Sequence, residues 1–239
     1  MKTAALIIPV ILSQTALAGI THLEDHRSFN SILGLQGGQG VPQVDDSTQI
    51  TYNDFSQNLF HSFTNSISDP IIGSATSNIE FESSISHTQF YSNATTSASS
   101  ATLPGGSIAF ANTAFSNSVY FTVDETTTFH VNGFISGTDS FSGQSVLNFS
   151  SRNDVGDHID TVFELYSNDQ TISLDTTVVL EAGHYSFFAL SYASTHAVEL
   201  SQSVSAASAH EITVTVVPAP SSAALLLLTG STLMTRRRR

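Results

Sequence analysis

The stretch Val119-Tyr120-Phe121-Thr122-Val123-Asp124-Glu125-Thr126-Thr127-Thr128-Phe129-His130-Val131 decides the fold class. Val119, Phe121 and Val123 alternate with Tyr120 and Thr122, which puts apolar residues on one face of an extended chain and polar residues on the other. Asp124-Glu125 reads as a turn, and Phe129 and Val131 resume the alternation. The segment is therefore expected to be a β-hairpin, with Gly133 at a bulge or bend before Phe134.

The same period extends outward in both directions. Ile79, Phe81, Ser83 and Ile85 fall on one face while Glu80, Glu82, Ser84 and Ser86 fall on the other, as in a half-buried strand. Further strands are expected near residues 146–150, 161–166, 177–180, 185–192 and 211–217, giving eight to ten without a convincing long helix. Residues 93–102 form a Ser/Thr/Ala tract without a large apolar side chain, which reads as an exposed loop or edge. The part from about 19 to 75 is less regular. Gly34, Gly37, Gly38 and Gly40 with Pro42 mark a loop, and Phe55, Leu59 and Phe63 fit either a short capped helix or, taken as Leu59, His61 and Phe63, one face of a strand. The expected fold is all-β: a single antiparallel β-sandwich, jelly-roll-like, over residues 19–216.

Charge and composition narrow the function. The chain has 239 residues, no Cys and no Trp, so disulfide scaffolds, thiolate metal sites and cysteine nucleophiles are excluded. Five of the seven basic residues lie at the extreme ends, as Lys2 and Arg236 to Arg239. Between the ends, Arg27 and Arg152 stand against 20 acidic residues, a formal charge of −18 for the body. Such a surface repels phosphate backbones, and no nucleic-acid partner is expected.

Both ends read as addresses. Lys2 precedes an apolar run from Ala4 to Leu12, and Ala16-Leu17-Ala18 forms a small-x-small site before Gly19. Residues 1–18 are thus expected to be a signal peptide cut by signal peptidase after Ala18, with Ala16 and Ala18 as the small residues of the cleavage site. At the other end Val217-Pro218-Ala219-Pro220 leads into an apolar stretch from Ala223 to Met234 and then Arg236, Arg237, Arg238 and Arg239. A short apolar helix ending in four cations keeps the arginines in the cytoplasm and the body outside. From Pro220 to Thr235 it would be roughly 24 Å long, shorter than a hydrocarbon core of about 30 Å, so transient inner-membrane anchoring is expected. A permanent anchor is the rival reading.

Residues 217–239 resemble the PEP-CTERM sorting signal of bacterial envelope and extracellular proteins: a Val-Pro-Glu-Pro-like motif, a short transmembrane helix and a terminal arginine cluster. The resemblance implies an exosortase as partner, removing the tail and releasing or transferring the body. Ala219 stands where the family usually has Glu. No Leu-Pro-x-Thr-Gly sortase motif occurs, and a GPI signal does not end in arginines. A second resemblance concerns fold alone: Asp160-Thr161-Val162-Phe163-Glu164-Leu165-Tyr166 and Leu180-Glu181-Ala182-Gly183-His184-Tyr185 look like the late strand and Leu-x-x-Gly-x-Tyr hairpin of β-sandwich modules in bacterial secreted proteins.

Candidate chemistry is sparse. Asp154, Asp157 and Asp160 recur every third residue around Gly156 and His158, a weak candidate for Ca²⁺, which takes clustered carboxylate oxygens. They lack the EF-hand pattern, and an acidic solvated turn explains them as well. Nine histidines, at 22, 26, 61, 87, 130, 158, 184, 196 and 210, make no His-x-x-x-His or His-Glu-x-x-His pair on an expected helix, so no zinc hydrolase is signalled. Acids stand beside bases at Asp157-His158 and at Glu181 near His184, but there is no Gly-x-Ser-x-Gly elbow and no Gly-Lys-Ser/Thr phosphate loop. Two opposed carboxylates would suffice for glycoside hydrolysis, yet without Trp the sugar-stacking aromatics are Tyr and Phe that strand patterns place in the core. The expectation is an exported, exosortase-processed envelope or extracellular-matrix protein of a bacterium, structural or adhesive, not an enzyme and without a cofactor. The alternative is a secreted carbohydrate-binding sandwich, Ca²⁺-assisted, with extracellular polysaccharide or envelope components as partners.

Overall fold

The computed structural model describes residues 20–37, 44–52, 58–104, 106–138, 142–198 and 201–218. Twelve strands carry them: β1 (Ile20–Gly37), β2 (Val44–Tyr52), β3 (Leu59–Asp69), β4 (Gly73–Ile85), β5 (Gln89–Thr102), β6 (Gly106–Val123), β7 (Thr127–Gly137), β8 (Gly143–Arg152), β9 (His158–Ser167), β10 (Thr171–Leu180), β11 (Gly183–Ala197) and β12 (Ser203–Val217). They form two six-stranded antiparallel sheets, ordered β2-β1-β6-β11-β8-β9 and β10-β7-β12-β5-β4-β3, packed as a sandwich. Among the described residues there is no helix, and so none long and apolar enough to cross a membrane.

The last eight strands pair in a nested way. β5 lies beside β12, β6 beside β11, β7 beside β10 and β8 beside β9, as though one long double strand were bent back and forth between the layers. β1 and β2 then extend the first sheet beyond β6, and β4 and β3 extend the second beyond β5. Extra strands on both layers widen the buried face.

Three expectations are corrected. The segment 119–131 does alternate as read, but β6 and β7 belong to different sheets, so it is an arch across the sandwich and not a hairpin. Phe121 and Phe129 meet across the core from opposite layers with ring centroids 5.7 Å apart. The Leu180-x-x-Gly183-x-Tyr185 turn is likewise an arch, from β10 to β11, closed by Tyr185 Oη donating to the Glu181 carbonyl at 3.0 Å. The tract at 93–102 is neither loop nor edge: it lies in β5, between β12 and β4, with Ala94, Thr96, Ala98 and Ser100 buried. Small side chains suit it to an alanine-rich region of the core, where Ala75, Ala98, Ala109, Ala111, Ala193 and Ala197 cluster.

The N-terminal part is also more regular than its composition implies. Gly34 and Gly37 lie within an 18-residue strand, while Gly38, Gly40 and Pro42 fall outside the described residues. Leu59 and Phe63 sit on β3, so the strand reading holds there over the helical one; Phe55 is outside the described residues. Gly133 adopts φ +136°, and a Cβ there would come within 1.8 Å of the Glu211 carbonyl oxygen, so it marks a close approach of β7 to β12.

Two aromatic clusters share the rest of the core, one built on Phe90, Phe121, Phe129, Phe149 and Phe187, the other on Phe29, Phe81 and Phe115. The expected alternation at 79–83 is seen, with Ile79, Phe81 and Ser83 buried and Glu80 and Glu82 exposed. Polar side chains run between the apolar clusters, and several are paired inside the sandwich, Thr96 with Ser208 at 2.8 Å and Ser31 with Ser77 at 2.6 Å, while Ser100, Thr113 and Asn117 are buried without a side-chain hydrogen bond. Because a buried hydroxyl without a partner costs about 1–3 kcal/mol, such pairing lets a Ser/Thr-rich chain fill an interior.

Candidate functional site

A serine–histidine constellation among the described residues is sealed inside. His210 on β12 is fully buried, with Nε2 2.9 Å from Ser92 Oγ and Nδ1 2.8 Å from Ser191 Oγ. Burial pulls its pKa down from 6.5 to about 4, only partly opposed by a backbone hydrogen bond at Leu190. A neutral imidazole held between two hydroxyls with no access for a substrate is a packing element, since a nucleophile and its base must reach the reacting atom.

The surface chemistry gathers elsewhere, on the outer face of the first sheet. Register places Glu24 (β1), Tyr120 (β6) and Ser186 (β11) in one row, and Thr122 (β6), His184 (β11) and Arg152 (β8) in the next. His26 lies one row from Tyr120 on the side away from Thr122, its ring edge-on to Tyr120 at 5.6 Å. The β8–β9 turn overhangs this patch. Its shape comes from Asn153, whose Oδ1 accepts from the amides of Val155 and Asp157 at 3.1 and 2.8 Å, with Gly156 at φ +89°. Two adjoining depressions of about 450 and 470 Å³ result, sharing Tyr120 and Arg152. Both volumes lie within the range of about 300–1,000 Å³ usual for small-ligand clefts.

Arg152 is the centre of this patch. Nε donates to Ser186 Oγ at 2.9 Å, NH1 to the Gly156 carbonyl at 3.3 Å, and the guanidinium carbon stands 5.4 Å from the Tyr120 ring centroid. Around it, His184 Nδ1 lies 2.9 Å from Thr122 Oγ1 and its Nε2 3.4 Å from Asp154 Oδ1. Tyr185 lines the inner wall, where burial first and Glu181 second hold its phenol above the usual 10. Among the described residues no carboxylate pairs with Arg152, although Glu24, Asp154 and Glu164 line the same two depressions.

The three aspartates of the acidic turn are not brought together. Asp154 turns to His184, Asp157 Oδ2 accepts from Asn153 Nδ2 at 3.2 Å, and Asp160 Oδ1 accepts from the Thr161 amide at 2.8 Å. Among the described residues no three His, Asp or Glu side chains are grouped to hold a metal ion. The acid–base neighbours read from sequence part as well: Glu181 Oε2 accepts from Thr126 at 2.6 Å, and His158 lies 3.3 Å from Thr161. Of the processing residues, Val217 ends β12 and Pro218 follows it; Ala16, Ala18, Ala219, Pro220 and Arg236 to Arg239 lie outside the described residues. Glu24, His26 and Tyr120 were not singled out by sequence, because strands far apart in the chain bring them together. The one signal available was the rarity of Arg152 in an acidic body.

No family model matches the chain, and no curated protein matches it either. Among solved structures it is similar to the enzymatically active domain of tailspike protein 4 of bacteriophage CBA120, at 6% identity and a TM-score of 0.23 over 65% of this chain and 19% of that one. It is also similar to the structure of infectious bursal disease virus, Gx strain, at 9% identity and a TM-score of 0.21 over 85% of this chain and 58% of that one. The chain thus spans less than two thirds of either structure.

Proposed function

We propose that this is an exported envelope or extracellular-matrix protein of a bacterium whose jelly-roll body has a structural or adhesive role and whose C-terminal tail is removed by an exosortase. The observation that carries this reading is where the last described strand stops: β12 ends at Val217, the first residue of the Val-Pro-Ala-Pro motif, and Pro218 follows it outside any strand. Removing both terminal segments would leave every described strand whole, which is what a processed precursor requires. The strand order β5-β12-β7-β10 facing β6-β11-β8-β9 supports the jelly-roll reading of the sandwich, an arrangement common in capsid and lectin domains.

A non-enzymatic role is supported by the interior position of the Ser92–His210–Ser191 constellation and by the dispersed aspartates. The test is expression in the native host with mass spectrometry of the surface protein's C-terminus. A mature chain ending close to Val217 is expected, and recovery of Arg236 to Arg239 on the surface protein would overturn the processing.

A further inference from the structure

The body carries two basic residues against 20 acidic ones, and the structure uses them in opposite ways. Arg27 is fully buried and pairs with Asp25. Arg152 sits on the outer face, paired with no carboxylate among the described residues, although acids outnumber bases tenfold and three of them line the depressions it occupies. A solvated cation in so acidic a body ordinarily collects a carboxylate. Here Ser186, Gly156 and the Tyr120 ring hold the guanidinium instead, fixing its plane before any ligand arrives.

We infer that the Arg152 depression on the outer face of the first sheet is a binding site for a uronic-acid-containing saccharide, whose carboxylate is received by Arg152. A planar guanidinium suits a carboxylate because its donors match both oxygens of the fork. The remaining lining supplies what a sugar's hydroxyls need: the carboxylate of Glu24 as an acceptor, the phenol of Tyr120 as donor, and the imidazole of His26, which serves as either. A phosphate, with more charge, is disfavoured by the lining carboxylates of Glu24 and Asp154. The site is independent of how the protein is exported, so its failure would leave the processing proposal standing, and the reverse.

The test is calorimetric titration of the full chain, in mild detergent with chelator present, with short oligogalacturonates and with neutral galacto-oligosaccharides of the same length. The acidic ligand is expected to bind at least tenfold more tightly than the neutral one. Arg152→Lys, which keeps the charge but loses the fork and the bond from Nε, is expected to weaken acidic-ligand binding at least tenfold. Asp154→Asn changes an exposed carboxylate that supports no strand, and is expected to strengthen acidic-ligand binding at low salt by relieving repulsion. Equal binding of the two ligands, no binding of the acid, or weakened binding in Asp154→Asn would each overturn the proposal. If Arg152→Lys melts early, the ligand comparison and Asp154→Asn decide between them.

Discussion

Arg27 and Asp25, two positions apart on β1, form an ion pair with neither side chain exposed at all, in a body that has one other basic residue. NH1 of Arg27 also donates to Ser83 Oγ on the facing sheet at 3.0 Å, which ties β1 to β4 through the interior. A buried pair need not stabilise relative to apolar residues, because desolvating both charges offsets most of their attraction; breaking it is another matter. Arg27→Met leaves a carboxylate buried without its cation, and a loss of about 3–5 kcal/mol is expected. The double change Asp25→Leu with Arg27→Met should recover most of that loss. Chemical denaturation of the three variants measures both, and a double variant as weak as the single would show that the pair itself holds the sheets together.

His210 makes stability depend on pH in a direction that follows from its burial. Its folded pKa of about 4 lies below the unfolded value of 6.5, so between those values the unfolded chain binds more protons. The contribution is fully present above pH 6.5, falls as the pH drops towards 4, and is constant below that. At 1.36 kcal/mol per pKa unit the whole span is roughly 3 kcal/mol. The body's carboxylates titrate in the same region, so the measurement is the difference between the native protein and His210→Gln, which keeps hydrogen-bonding capacity without the titration. That difference should narrow as the pH falls from 6.5 to 4; a constant difference would show that His210 takes up its proton without resistance.

Gly133 and Gly156 both have positive φ, but their surroundings differ, so alanine should separate strain from collision. At Gly156, in the β8–β9 turn, a Cβ meets nothing within 4 Å, and Gly156→Ala is expected to cost only the backbone strain, about 1 kcal/mol. At Gly133 the Cβ would lie 1.8 Å from the Glu211 carbonyl oxygen between two paired strands. Gly133→Ala should therefore lose clearly more, about 3 kcal/mol or above, by adding displacement of β12 to the strain. Thermal melts of the two variants compare them directly, and equal losses would mean that β7 and β12 separate without cost.

Strand character was legible wherever large apolar residues alternate, as at Ile79 and Phe81, because period two follows directly from the pleat. It was not legible in β5, where alanine, serine and threonine fill inward positions. A core built of small side chains and paired hydroxyls carries no hydrophobic signature. The direction taken after Asp124-Glu125 was equally hidden, since a short turn between alternating strands serves a hairpin or an arch, and only the partner strands β11 and β12 decide. The Arg152 depression depends on that same topology. Its residues come from β1, β6, β8 and β11, so no local spacing announces it.

Salt and calcium should act on the body in separable ways. With 20 acidic residues and one of the two cations consumed by a buried pair, the folded surface is dominated by like charges, and compaction brings them together. The screening length falls from about 30 Å in 0.01 M salt to about 8 Å at physiological ionic strength, so the melting temperature is expected to rise over that range of NaCl. Asp154, Asp157 and Asp160 face three different partners, which leaves no converging oxygen set for a hard cation. Calcium is therefore expected to match NaCl at equal ionic strength. A melting temperature raised further by millimolar Ca²⁺ would mean that the native state binds the ion, by mass action on the folded form, and that the turn carrying the aspartates rearranges to hold it.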